Sequence, residues 1–473
     1  MKKIIKNNKF LEIIFLFLIS LTPLLWFNNG YVILGHDSGF RLDQLGYWKS
    51  LFYSWNPSPN FGADWSIFKG FLVTQFPETL FSTLTGSLAA GEKLTFIFWF
   101  FAIGLSMYIF VNSFYKEQKF WFLRIFSSTF YIYNFFLLQA WFIAERAKFS
   151  IYVALPLCTL LLYKTLSKQM SLWKGIFFFS LLFFFFNAGG APTFLGSFFV
   201  IFFVTIIYFA VVNFQKGGIR ELIYVFKVGV LFLTGLFLIN AYWIAPQIYL
   251  MFYHYSSSLA ASGGISVIIG WESTISKNAS FINLLRLEGI PDWYNSQIHP
   301  YSSLYLKNIF FIAFSFLFPI VLVGLLVLIV GQKWRNHNKQ LLLLILALCL
   351  VGIVFAAGSH PPLGFIYALF IKYIPAFPIF RSSFYKFGVA FWFPFIFLIS
   401  YGLYTIFTNY IKNKKLYFLC SALVVVAILA FHFPYFNANF FTWNTPYSTR
   451  IKIPSYVTVM SDYINNLPST TRI

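Results

Sequence analysis

The chain is short of charge. Only 10% of its 473 residues are charged and 59% are hydrophobic, with a mean hydropathy of +0.74. A soluble domain carries about 25% charged residues, so a water-soluble fold is excluded. Acid is scarcer than base: 13 Asp and Glu stand against 34 Lys and Arg, a net charge of +21. That surplus does not imply nucleic acid, and no nucleic-acid partner is expected. The Lys and Arg fall in short clusters between apolar runs, where they set membrane topology. Cysteine is nearly absent: Cys158, Cys349 and Cys420 all lie in apolar runs without metal-ligand spacing. Neither a disulfide framework nor a zinc site follows from them. There is no Walker loop, no HExxH and no GxSxG, and Gly189–Gly190 does not follow a strand. No internal repeat supports an inverted-repeat transporter.

What is present is long apolar runs. A bilayer core takes about 20 residues per helix. The sequence predicts an all-α polytopic membrane protein of about eleven transmembrane helices. The predicted runs are 11–27, 94–114, 120–138, 149–163, 172–187, 193–212, 225–244, 309–330, 341–357, 388–407 and 416–431. Residues 1–10 form a basic leader, and no small-residue cleavage site follows, so the first helix is read as retained with its N-terminus inside. The loops 115–119, 164–174, 214–227, 332–340 and 409–415 are then cytoplasmic; each is short and carries Lys or Arg.

The opposite loops, 28–93, 246–308 and 358–387, are long, mixed in charge and rich in Gly, Pro, Trp and Tyr. Segments 263–270 and 361–378 are too short to span, and are expected to re-enter or lie in the interface. Residues 1–431 are thus read as a transmembrane domain. Residues 432–473 are read as the start of an outer C-terminal region, and the chain as either a fragment or an unusually short form.

Chemistry gathers in the first outer loop. Of five aspartates in the chain, Asp37, Asp43 and Asp64 lie within 35–65, beside His36, Arg41 and Lys49. An ionisable residue near a bilayer is by default a site hypothesis. Asp37, between Gly35 and Gly39, is the first candidate general base for a sugar hydroxyl, with Asp43 as its competitor. The plainer reading is that either caps a loop helix or pairs with Arg41 or Lys49. Arg286, Arg381 and Lys386 fall on the same predicted face and suit a lipid phosphate, or simply headgroup contact. His360, in GSHPP, either touches a phosphate or shapes a turn, and the turn is favoured. Trp55, Trp65, Trp271 and Trp293 either stack on sugars or anchor the interface. Glu145, Arg146 and Lys148 read most simply as a solvated cluster. Metal need stays open: sparse carboxylates argue against a tight divalent site, while one or two of them with a substrate phosphate suffice to hold a divalent cation.

Six short motifs carry a resemblance. They are HDSGFRLD (36–43), SWNPSPNFG (54–62), FNAGGAPTF (186–194), NAYWIAPQ (240–247), FINLLRLEG (281–289) and the FR…YKF segment (380–387). Together they resemble the GT-C superfamily of polytopic membrane glycosyltransferases, and more narrowly the membrane region of AftD-type arabinofuranosyltransferases, with YfhO-like proteins as relatives. The resemblance implies a plasma-membrane glycosyltransferase with its active site on the extracytoplasmic face. It would take a sugar, arabinofuranose among the options, from a polyprenyl-phosphate donor to a cell-envelope glycan or lipid-linked glycan. Asp37 is the best counterpart of the family's catalytic acid. Two other classes stand beside it: a lipid-linked-glycan transporter or flippase, and a non-catalytic scaffold. A transporter predicts charged or polar residues within the spans, whereas here they cluster outside.

Overall fold

The computed structural model describes residues 8–27, 30–34, 41–56, 62–142, 146–189, 191–294, 299–331, 339–438, 440 and 449–468. Helix dominates, as the uninterrupted apolar runs require: in lipid a backbone must satisfy its own hydrogen bonds. Among the described residues, seven helices are long and apolar enough to cross a membrane: Leu88–Phe114, Arg146–Leu166, Pro192–Ser257, Ile309–Leu328, Lys339–Ala357, Ser383–Tyr410 and Lys414–Phe431. The fold is therefore all-α and consistent with a helical membrane protein.

The difference from eleven runs has local causes. Run 11–27 becomes a 12-residue helix, Asn8–Ile19, followed by a short 3-10 turn, Thr22–Leu25, with Pro23 near its start. Run 120–138 splits into Trp121–Ile132 and Phe135–Phe142. Asn134 makes the break: its amide donates to the Tyr131 carbonyl (2.9 Å), and its Oδ1 accepts from the Leu137 N–H (2.9 Å). Such local side-chain bonds compete with the helix ladder. Run 172–187 yields only the 14-residue Leu172–Phe185. Runs 193–212 and 225–244 join in one helical stretch, Leu195–Ala261, interrupted at Gly217 and Gly218. Gly218 has φ 62° and ψ −147°, a conformation open essentially to glycine alone. The two segments expected at the interface contain helices Gly264–Ser276 and Gly364–Tyr373.

Among the described residues, the most extensive helix pairing is Lys339–Ala357 against Ser383–Tyr410. Gly352 permits it: a Cβ there would fall 2.6 Å from the Ala390 carbonyl oxygen. Aromatic rings fill the core. Trp141 stacks on Phe149 with centroids 3.9 Å apart, and Trp26 packs edge-on against Trp141 and Phe100 while its indole N–H donates to the Tyr435 carbonyl (2.6 Å). At one end of the bundle Arg124, wholly buried, grips Glu12 through Nε (2.7 Å) and a terminal nitrogen (2.6 Å). Its remaining nitrogen donates to the carbonyls of Tyr115 and Glu117.

The C-terminal segment folds back on the chain. Strand Arg450–Lys452 pairs antiparallel with Tyr31–Ile33 of the first loop, with Val32 opposite Ile451. A second small hairpin pairs Trp55–Asn56 with Ala63–Asp64.

Candidate functional site

The opposite end of the bundle carries the first loop, and buried polar contacts seat it there. The Ile33 N–H donates to Glu92 Oε2 (2.8 Å), while Glu92 is fully buried and its Oε1 has no hydrogen-bond partner among the described residues. Gln44 donates to Glu78 Oε1 (3.2 Å), and Gln75 donates both to Glu78 Oε2 (3.2 Å) and to Gln44 Oε1 (2.7 Å). Arg146, in the first turn of Arg146–Leu166, clamps Glu78 Oε2 from Nε (2.6 Å) and a terminal nitrogen (2.5 Å). Two further ties hold the loop. Gln247 donates to the Ile67 carbonyl (2.9 Å), and Gly189 lets the FNAGGAPTF segment press on the loop, since a Cβ there would lie 2.2 Å from the Gly70 oxygen.

Two residues beyond Arg146, Lys148 is also buried, its Nζ 5.1 Å from the Tyr385 ring centre and 5.4 Å from that of Phe194. Lys386 sits over the same Phe194 ring at 4.1 Å. Aromatic faces attract ammonium groups through the ring quadrupole. The Tyr385 hydroxyl donates to Asp292.

Lys386 and Arg381 open onto a cleft of about 500 Å³, walled also by Thr193, Tyr255, Ser262 and Trp271. An apolar groove of about 640 Å³ adjoins it, lined by side chains including Phe199, Leu236, Ile248, Met251 and Phe377. Both share Thr193, Tyr255 and Ile379 in their walls, so the cationic cleft runs into the apolar groove. Each has the volume of a ligand site, roughly 300–1,000 Å³.

The cleft wall is fixed by Glu272. Its carboxylate, fully buried, accepts from the N–H groups of Ser382 (2.6 Å) and Ser383 (3.0 Å) and from the Ser383 hydroxyl (2.5 Å). These donors begin the helix Ser383–Tyr410, whose N-terminal partial charge Glu272 thereby satisfies. Burial pushes the Glu272 carboxyl up, and the Ser383 and Ser382 bonds pull it back. Ser382 holds φ 68° between Arg381 and that helix, and its hydroxyl accepts from the Trp271 indole N–H (2.9 Å).

The sequence-predicted residues divide three ways. Arg381, Lys386 and Trp271 meet at the cleft. Asp37 and His36 lie outside the described residues, as does Glu145. The others stand elsewhere or are engaged. Asp43 caps Gln44–Ser50, accepting from the Gly46 N–H (2.7 Å), and is exposed. Asp64 accepts from the Ser66 hydroxyl and N–H, which lower its pKa. Arg286 is committed to Glu288 (2.8 Å), to the Ser315 hydroxyl (3.0 Å) and to the Phe316 face (4.2 Å). His360 Nδ1 lies 2.6 Å from the Pro361 carbonyl, beside the cis Pro361–Pro362 bond, in the turn the sequence suggested. Trp55, 60% exposed, lies in the small hairpin opposite Asp64, and half-buried Trp65 follows it.

Two expectations need correcting. Trp293, expected to stack on sugar, is 1% exposed and packed among Phe135, Tyr301 and Tyr305, so it belongs to the core. Arg146 and Lys148, expected in a solvated cluster, are part-buried and buried respectively, because Glu78 and the Phe194 and Tyr385 rings offer partners that only the fold brings near. Sequence reasoning also passed over Glu78, Glu92 and Glu272. Their signal was rarity, for a glutamate beside apolar runs stays there only with partners. Among the described residues, no group of three His, Cys, Asp or Glu side chains is arranged to hold a metal ion.

Fold and site together define an all-α protein of membrane type, with a cationic cleft opening into an apolar groove at one end. No family model matches the chain, and no curated protein or solved structure matches it either.

Proposed function

We propose that the chain is a membrane glycosyltransferase that takes sugar from a polyprenyl-phosphate donor on the outer face of the membrane. The observation that carries the reading is the junction of cleft and groove. Such a junction suits a ligand with an anionic head and a long hydrocarbon tail. Arg381 offers forked donors to phosphate oxygens and Lys386 a compact charge, while the apolar groove takes the first isoprenoid units.

In this mechanism the acceptor hydroxyl attacks the anomeric carbon as its proton passes to a carboxylate. The bond from that carbon to the phosphate oxygen breaks on the opposite side, its electron pair leaves with the lipid phosphate, and configuration inverts. Arg381 and Lys386 stabilise the charge that grows on the departing phosphate. Because that group leaves as a stable anion, one base with positive stabilisation suffices. We assign the base to Asp37, in the loop whose described flanks are tied to Glu92 through Ile33 and to Glu78 through Gln44.

The test uses the full chain in lipid nanodiscs with radiolabelled polyprenyl-phosphate sugars and a glycan acceptor. Transfer is expected from the wild type, falling at least ~100-fold in Asp37→Asn, the scale of a lost general base. An Asp37→Asn protein as active as wild type, with Asp43→Asn inactive, would move the base to Asp43. No transfer by the wild type from any polyprenyl donor would defeat the enzyme reading.

A further inference from the structure

A second cationic cleft lies at the other end of helix Arg146–Leu166, and nothing in the proposed reaction uses it. It measures about 450 Å³ and is lined by Ser113, Lys116, Lys164, Gln169, Ser171 and Lys174, among others. Lys148 and Lys164 are sixteen residues apart on that helix, a separation of roughly 24 Å at 1.5 Å per residue. The two clefts are therefore distinct.

The lysines come from three different helix ends. Lys116 follows Leu88–Phe114, Lys164 is in the last turn of Arg146–Leu166, and Lys174 is in the first turn of Leu172–Phe185. Among the described residues, no acidic side chain lines the cleft. The neighbouring lysines differ: Lys119 pairs with Glu117 (2.8 Å) and Lys168 with Glu221 (2.7 Å). Among the described residues, no ion pair engages Lys116, Lys164 or Lys174. Three like charges converging on one cleft repel one another, and an anion placed between them removes that cost.

The surroundings specify which anion. Beside Lys174 the helix carries Trp173 at 74% exposure and Phe177 at 61%, four residues apart on one face, and Phe178 at 47%. An apolar surface thus leads directly away from the charged cleft. Ser113 and Ser171 supply hydroxyls, and the Ser171 side chain makes no capping bond to its own helix.

We infer that this cleft binds the phosphate head of an anionic phospholipid, whose acyl chains lie along Trp173 and Phe177. The site is independent of the glycosyl-transfer reading. It would tie the protein to anionic membrane and brace three helix ends that otherwise carry uncompensated charge.

The experiment is native mass spectrometry of the full chain released from detergent with graded phosphatidylglycerol or phosphatidylcholine. Phosphatidylglycerol should be retained preferentially by the wild type. Retention should fall about tenfold or more in Lys116→Gln/Lys164→Gln/Lys174→Gln, given the attraction of each lysine for an anionic lipid surface. The control Lys412→Gln/Lys415→Gln should retain lipid as the wild type does. Should the triple variant misfold, Lys116→Gln/Lys174→Gln, both exposed positions, should still lose several-fold. Glycerol phosphate, which has the head without the chains, should not displace bound lipid at millimolar concentration. Equal retention of phosphatidylcholine, unchanged retention in the lysine variants, or ready displacement by glycerol phosphate would each overturn the inference.

Discussion

Replacing Glu78 with Gln should loosen the first loop from the bundle. Glu78 is 1% exposed, and its Oε2 carries both Arg146 contacts, at 2.6 and 2.5 Å, while Gln44 and Gln75 donate to it as well. Breaking a buried ion pair by removing one partner costs about 3–5 kcal/mol. Arg146 retains 10% side-chain exposure and can recover some hydration, which places Glu78→Gln near the lower end, about 3 kcal/mol. The converse change, Arg146→Met, leaves the Glu78 carboxylate buried close to buried Glu92 and should cost more, about 4–5 kcal/mol. The double variant Arg146→Met/Glu78→Gln should then be less damaged than Arg146→Met alone, the signature of a coupled pair. The assay is the apparent melting temperature of detergent-solubilised protein by tryptophan fluorescence, with limited proteolysis of residues 41–56. Glu78→Gln should melt on the order of 3 °C lower, with faster cleavage in that stretch. A variant melting within a degree of wild type, or a double variant worse than the sum of its singles, would refute the reasoning.

Two further outcomes follow from the same contacts. Glu272→Gln can still turn its amide oxygen to the two N–H groups that share Oε2, but it loses the negative charge at the start of the helix, so it should cost roughly 1–2 kcal/mol and weaken donor-phosphate binding by displacing Arg381; restored binding in Glu272→Asp is not expected, because the shorter side chain cannot reach those N–H groups. Burial lifts the Glu288 carboxyl to about 7, with Arg286 pulling it back. A raised carboxyl contributes its stability in full below about pH 4.5 and loses it as the pH climbs through 7, so melting should fall across that window by an amount worth on the order of 2–3 kcal/mol, and Glu288→Gln should flatten the profile. Identical pH profiles for the two proteins would count against it.

Much of the architecture was legible because lipid leaves few choices. Runs such as 341–357 and 388–407 are long, apolar and uninterrupted, and both became membrane-length helices. Legibility failed where one residue changes the backbone. Asn134 looks unremarkable in an apolar run, yet its side chain replaces helix bonds, and Gly218 matters only through its left-handed conformation. The site was half legible. Arg381 and Lys386 stood out as cations in a loop with a recognisable pattern, and both line the cleft. Lys148 and Glu272 did not, because what distinguishes them is a partner more than a hundred residues away in the case of Glu272, and a ring supplied by another helix in the case of Lys148. Trp293 erred in the opposite direction, since a loop tryptophan reads as a surface platform until the loop is found folded inward.

The account rests on an anionic lipid whose head meets Arg381 and Lys386 while its tail enters the groove beside Phe199 and Leu236. Its most direct measurement compares binding of a polyprenyl phosphate with that of the uncharged polyprenol, in wild type and in Arg381→Gln/Lys386→Gln. The phosphate should bind the wild type at least ~100-fold more tightly than the alcohol, and the double variant should lose most of that preference while binding the alcohol as before. Equal binding of phosphate and alcohol by the wild type, or a preference untouched by the double variant, would contradict it.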